Sequence, residues 1–176
     1  YKDNWYPFRQ DSNFLYYFGL NVAGLAAIID VDSGDEVIFG NELTMDDIVW
    51  TGPLPTVREM SAEVGIQKTE PYNEIISVIS KALENGREVH ITPPYRPENK
   101  IRLSSLLQVS AGALSEFISV PLIKAIISQR AIKEACEVEE MHKAAIISAD
   151  MHLAGMRFAK AGMKEYEVMA KVKEVA

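Results

Sequence analysis

The sequence predicts an α/β layered domain followed by a helical segment. Three observations lead there. Short apolar runs bounded by turn residues alternate with helix-type patterns up to about residue 120. Two threonines, Thr44 and Thr56, are each followed three residues later by an acidic residue, which marks helix starts. Beyond Pro121 glycine and proline become rare, and apolar residues step by three or four.

Taken in order, the chain opens on a charged cluster, Arg9 and Asp11. It runs into an aromatic, strand-like block, Phe14, Tyr16, Tyr17 and Phe18, that stops at Gly19. Residues 24–32 read as a buried strand, since Leu25, Ala26, Ala27, Ile28, Ile29 and Val31 are apolar with little alternation. Asp32, Ser33, Gly34 and Asp35 supply turn chemistry, and residues 36–39 form the partner strand of a hairpin. Thr44 with Asp47 predicts a capped helix start, and Thr56 with Glu59 predicts a capping box with Gly65 as the stop.

Residues 71–83 read as a helix with Ile75, Ile79, Ala82 and Leu83 as its apolar stripe, ended by Asn85 and Gly86. Residues 88–92 predict a short strand cut off by Pro93 and Pro94, and 95–100 a polar loop. A further helix is expected over 103–109 and a short strand over 117–120. From there Val138, Met141, Ala145, Ala149, Leu153 and Met156 form one face of a long helix, ended by Ala161 and Gly162. Another helix follows from Lys164 to Val175, with Glu165 and Glu167 at its positive end. These readings divide the chain into domains 1–125 and 126–176. Two amphipathic helices are too few to bury a core, so the second domain is expected to be incomplete. Because the chain begins at Tyr1 without an initiator Met, residues before it are expected to supply a first strand.

Composition narrows the function. The 176 residues are 48% apolar and 24% charged, as in ordinary globular proteins. A net charge of −7 with no basic face argues against nucleic acid. No apolar run reaches the roughly 18–20 residues of a membrane span, and no signal peptide is visible. Cys136 is the one cysteine, which excludes an intrachain disulfide and a cysteine-rich zinc site and suits a reducing cytoplasm.

Bottom-up, no catalytic constellation is visible. His142 and His152 lie ten residues apart on one helix, about 15 Å along its axis. That is too far for one metal with ligands at about 2 Å, so they read as surface or packing residues. His90 has no identifiable partner. Cys136 reads as a small buried apolar residue rather than a nucleophile. Asp3, Arg9 and Asp11 read as an ion-pair and loop-capping set that pins the strand entry. Trp50, ahead of Thr51-Gly52-Pro53-Leu54-Pro55, reads equally as core or as a surface anchor for a partner.

Four motifs in order carry a family resemblance. The first is Asp3, Pro7-Phe8-Arg9-Gln10-Asp11-Ser12, Phe14, Tyr16 and Gly19; the second is Leu43-Thr44 with Ile48-Val49-Trp50-Thr51-Gly52. The third is Ile132-Lys133 with Glu137, Glu139, Glu140 and Met141, and the last is Ala161-Gly162-Met163-Lys164-Glu165-Tyr166-Glu167-Val168. Together they resemble the N-terminal creatinase-like domain of aminopeptidase P (Xaa-Pro aminopeptidase) and its prolidase relatives, with the linker into the catalytic domain.

The resemblance implies an α/β domain with a mixed sheet flanked by helices, then the first helices of a pita-bread α+β domain. It implies hydrolysis of the bond before proline in a peptide, by a hydroxide bridging two divalent ions, usually manganese. Their ligands (two Asp, one His and two Glu) would lie beyond Ala176, leaving no catalytic or metal-binding residue in this chain. It further implies a homodimer or homotetramer, and an N-terminal domain that helps wall the active site. Asp3 and Trp50 match positions that lie close to substrate in bacterial members. An acidic group there could meet a peptide amino terminus, and an indole could cover apolar substrate. Arg9 and Asp11 stay structural. The chain departs from the family at Glu134-Ala135-Cys136, where Ser-Pro is usual, and at Lys164, where Thr is usual. It also has no arginine between Gln108 and Ser119. Prolidase, a metal-free creatinase-like amidinohydrolase and a non-catalytic peptide-binding module share the resemblance as alternatives.

Overall fold

Residues Ser12–Phe18 form a helix, α1, where the sequence predicts a strand. The computed structural model describes residues 8–176. Helix wins here for local reasons. The Asp11 carboxylate accepts hydrogen bonds from the Asn13 and Phe14 backbone N–H groups, at 2.8 and 3.2 Å, and so caps the first turn. Phe14 and Phe18, four residues apart, bring their ring centroids to 4.9 Å. Gly19 closes the helix at φ 66, donating to the Leu15 carbonyl. The aromatic block therefore has period 3.6, with Phe18 buried while Leu15 and Tyr16 stay exposed.

A three-stranded mixed sheet follows. The hairpin is present: β1 (Ala26–Ile29) pairs antiparallel with β2 (Glu36–Phe39). β1 is shorter and less buried than the sequence predicts. After β2 come α2 (Met45–Thr51), whose expected Thr44 cap is a full capping box with Asp47, and α3 (Val57–Glu63), opened by the expected capping box. They form the crossover to β3 (Thr69–Glu70), which runs parallel to β2 and which the sequence reading lacks. α4 (Glu74–Glu84) ends at Asn85 as expected.

β2 is the spine of this unit. Its alternate residues face two separate cores, as a period-2 strand requires. Ile38 packs with Phe18, Leu20, Val57 and Ile66. Val37 and Phe39 pack with Ile75 from α4. Ile38 and Phe39 are wholly buried. Gly40 then passes so close to its neighbours that a Cβ would meet Leu25 Cδ2 at 2.6 Å. Beyond it, Asn41 accepts from the Tyr72 N–H and Glu42 from the Val57 N–H, tying the entries of α4 and α3 to the end of β2.

The region after α4 departs from expectation. Residues 97–100 are not loop: α5 runs Pro97–Leu107, with Pro97 at its first position, where no N–H is needed. The segments 88–92 and 117–120 meet in one parallel bridge, Ile91 with Ile118, rather than forming strands. A short 3-10 turn, Ala113–Phe117, precedes the second contact. α6 spans Val120–Ala131.

The chain divides into two units, one running through Lys124 and one from Ala125 to Ala176. The second unit consists of the end of α6, then α7 (Ala135–Phe158) and α8 (Glu165–Val175). α7 and α8 pack where Gly155 meets Val172, a Cβ on the glycine falling 3.0 Å from Val172 Cγ2. No residue of these helices is buried. The stripe read from the sequence is present as a helix face but open, with Val138, Met141, Leu153 and Met156 all exposed.

Candidate functional site

α2 presents the most exposed large aromatic of the described residues. Thr44 Oγ1 accepts from the Asp47 N–H at 3.2 Å, and Asp47 Oδ2 accepts from the Thr44 N–H at 2.9 Å. The Thr44 hydroxyl, donating to Asp47 Oδ2 at 2.6 Å, and then the Thr44 N–H hold the Asp47 carboxyl below its ordinary range. The helix stops at Gly52, whose N–H donates to the Ile48 carbonyl at 2.9 Å. Trp50 sits two residues before that stop and is 88% exposed. The alternatives left open by the sequence are thereby resolved: Trp50 is surface, not core. Met45, Val49 and Leu54 are exposed around it. Seven residues with this much apolar surface outward and none buried make α2 a ridge rather than a core helix.

The other sequence candidates fall elsewhere. Asp3 lies outside the described residues. Arg9 is exposed, and Asp11 serves as the α1 cap. It pins a helix entry, where a strand entry is expected. Cys136 is exposed, contrary to expectation. It stands at the start of α7, a helix with no buried face, so no apolar pocket encloses it. His90 pairs with Glu88 at 3.5 Å. His142 and His152 are exposed along α7. Among the described residues, no group of three His, Cys, Asp or Glu side chains could hold a metal ion. No described helix is long and apolar enough to cross a membrane.

Two features lie outside what the sequence predicts. Arg87 makes a two-pronged contact with Asp30, both at 2.5 Å, and reaches Asp32 at 2.8 Å. The Arg87 hydrogen bond, reinforced by the Ser33 N–H, holds the Asp30 carboxyl well below its usual range, and the same pairing raises the Arg87 guanidinium. This clamp ties the hairpin turn to the segment after α4. The second feature is a groove of ≈ 380 Å³ between α4 and α5. In it the Arg102 guanidinium lies 5.7 Å from the Tyr72 ring centroid, and burial raises the Tyr72 phenol. It contains no nucleophile beside a base, so it offers no catalytic arrangement.

Residues 1–91 match the family model described as Aminopeptidase P, N-terminal domain. The chain is 27% identical over 163 residues to a Homo sapiens Xaa-Pro dipeptidase, covering 92% of this chain and 32% of the relative. It is 27% identical over 169 residues to a probable Xaa-Pro aminopeptidase of Emericella nidulans, covering 93% and 34%. The fold is that of a Pseudomonas aeruginosa aminopeptidase (TM-score 0.73, 24% identity, 97% of this chain and 40% of that one). A variant of Escherichia coli aminopeptidase P superposes equally well (TM-score 0.73, 20% identity, 97% and 40%). The chain thus spans about a third of the length of the curated relatives it matches.

Proposed function

The chain belongs to the aminopeptidase P N-terminal domain family, and from that premise we propose that it is the oligomer-forming, active-site-walling part of a metal-dependent Xaa-Pro aminopeptidase. The complete enzyme would remove an N-terminal residue that precedes proline. The family match over residues 1–91 carries this reading. Residues 126–176 are, on the same reading, the first helices of the catalytic domain. The assembly would be a cytoplasmic homodimer or homotetramer.

The described residues do not fit a divalent ion, since they bring no three ligating side chains together. On the family reading, the two ions of the proposed reaction, which we take to be manganese, would be held by residues beyond Ala176. What this chain contributes is a wall. Support for Trp50 in that role is its exposure on a ridge with no core of its own. An indole there covers proline or a neighbouring apolar side chain and keeps water from that side of the peptide. Asp3 would meet the ammonium of the peptide.

A Xaa-Pro dipeptidase is the second reading, favoured by the name of the human relative. Assay of the full-length protein with Xaa-Pro dipeptides, longer Xaa-Pro peptides and creatine, with and without manganese, separates the readings. Metal-dependent cleavage of longer peptides supports the first and cleavage of dipeptides alone supports the second; metal-free turnover of creatine sinks both. Residues 1–176 by themselves should show no hydrolysis. In the full-length enzyme Trp50→Ala should raise KM or lower kcat by about fivefold, the scale of a lost aromatic contact near 1 kcal/mol. Unchanged kinetics in a folded variant would remove Trp50 from the wall.

A further inference from the structure

Most of the carboxylates in the first part of the chain are committed, and one that is not stands beside Trp50. From Gln10 to Val57 the sequence has eight carboxylates and no Lys, Arg or His. Asp11 caps α1. Asp30 and Asp32 take Arg87, and Asp35 takes Lys68 at 3.7 Å. Both Glu42 oxygens accept from the Val57 N–H, and Asp47 closes the Thr44 box. Glu36, exposed at the start of β2 opposite Ile29, has no hydrogen-bond or ion-pair partner for its carboxylate among the described residues. Asp46, exposed on α2, is likewise without a hydrogen-bond or ion-pair partner among the described residues. It lies four residues before Trp50, so the two share one helix face with Cβ atoms about 5–6 Å apart.

A carboxylate next to a bare indole face is complementary to one kind of group. A guanidinium can lie flat over the indole and donate to the carboxylate at the same time, and its charge adds cation–π and ion-pair attraction that a neutral planar side chain lacks. The chain's net charge of −7 attracts the same ligand from a distance. Met45, Val49 and Leu54 would flank the aliphatic stem of such a side chain.

We propose that the Asp46–Trp50 face of α2 binds an arginine side chain of the proline-containing peptide. The peptide rests on the reading given above; the cation chemistry does not. The test therefore uses ligands that an aminopeptidase cannot cleave. The full-length protein is titrated with acetyl-prolyl-arginine amide and with its neutral isostere, acetyl-prolyl-citrulline amide, by calorimetry and tryptophan emission. The arginine compound should bind about fivefold more tightly, the scale of an exposed cation–π contact plus an exposed ion pair. That preference should weaken in 0.5 M salt, fall to the cation–π share of about twofold in Asp46→Asn and persist in full in Asp46→Glu, with circular dichroism unchanged in both variants. Equal affinities for the two compounds, or a preference undiminished in Asp46→Asn, overturn it. Failure of the peptidase reading looks different: free Ala-Pro-Arg is left uncleaved while the arginine preference remains.

Discussion

The two units of this chain spend similar apolar sequence very differently. In the first, four residues of β2 serve two cores: Ile38 faces Phe18, Leu20, Val57 and Ile66, while Val37 and Phe39 face Ile75. In the second, a 24-residue helix carries Val138, Met141, Leu153 and Met156 in regular steps and buries none of them. A correct periodicity therefore establishes a helix and its apolar face, but not that the face is covered. Covering depends on non-local partners, and β2 has them on both sides.

The largest expected effect separates the units directly. Phe39→Ala removes a fully buried ring from the core shared with Ile75 and should cost about 3–5 kcal/mol. Met141→Ala, on an exposed face, should change stability in the 176-residue chain by no more than about 0.5 kcal/mol. Urea midpoints, with hydrogen exchange read on β2 and α7, check both. Similar costs at the two sites would mean that α7 is as enclosed as β2 and would dissolve the contrast.

This contrast also explains what was readable in the sequence. Signals confined to one turn survive intact: Thr44 caps the helix start that its spacing with Asp47 predicts, and Thr56 with Glu59 forms the predicted box. The Asp32–Asp35 turn likewise gives its hairpin. Phe14–Phe18 was misleading because aromatic residues favour strands on average, while the deciding group was one carboxylate, Asp11, just upstream. The two-residue strand β3 has too little sequence to carry a period. The Arg87–Asp30 clamp joins residues 57 apart, which no local pattern encodes. At the candidate site the identity of Trp50 was legible through the Trp-x-Gly motif. Its exposure was not, because that depends on what fails to pack over α2.

A mid-sized effect uses the two tight glycines. Gly40→Ala places a Cβ 2.6 Å from Leu25 Cδ2 and 3.0 Å from Val57 Cγ2. The Leu25 methyl can turn aside, but β-branched Val57 cannot easily do so, and a cost of about 1–3 kcal/mol is expected. Gly155→Ala meets one atom, Val172 Cγ2, at 3.0 Å. There the strain is opposed by the gain of about 1 kcal/mol from replacing glycine inside a helix. The first variant should melt clearly below the parent chain and the second close to it. A Gly155→Ala loss as large as that of Gly40→Ala would show that the α7–α8 contact is as unyielding as the β2 edge.

The smallest effect lies in the charges, and its sign follows from the direction of one shift. The first unit pairs Arg87 with Asp30 across distant segments; the second has exposed pairs within one helix, Lys143 with Glu139 and Glu140. Arg87 and the Ser33 N–H hold the Asp30 carboxyl below its ordinary value of 3.8. Its stabilising contribution is thus fully present above about pH 4, the unfolded value. It is lost as the pH falls from there through the lower folded value. Thermal melts of the parent chain from pH 5 to pH 2.5 should fall more steeply than those of Asp30→Asn, which has no proton to take up at this site. Above pH 5 the variant should already melt lower than the parent, because the charged half of the clamp is missing. The Lys143 pairs, being local and exposed, should be removed by 0.5 M salt with little change in melting. Parallel acid profiles for the parent and Asp30→Asn would show that the hairpin turn is held by its own backbone bonds. The long-range clamp would then be no more stabilising than the helix-surface pairs of the second unit.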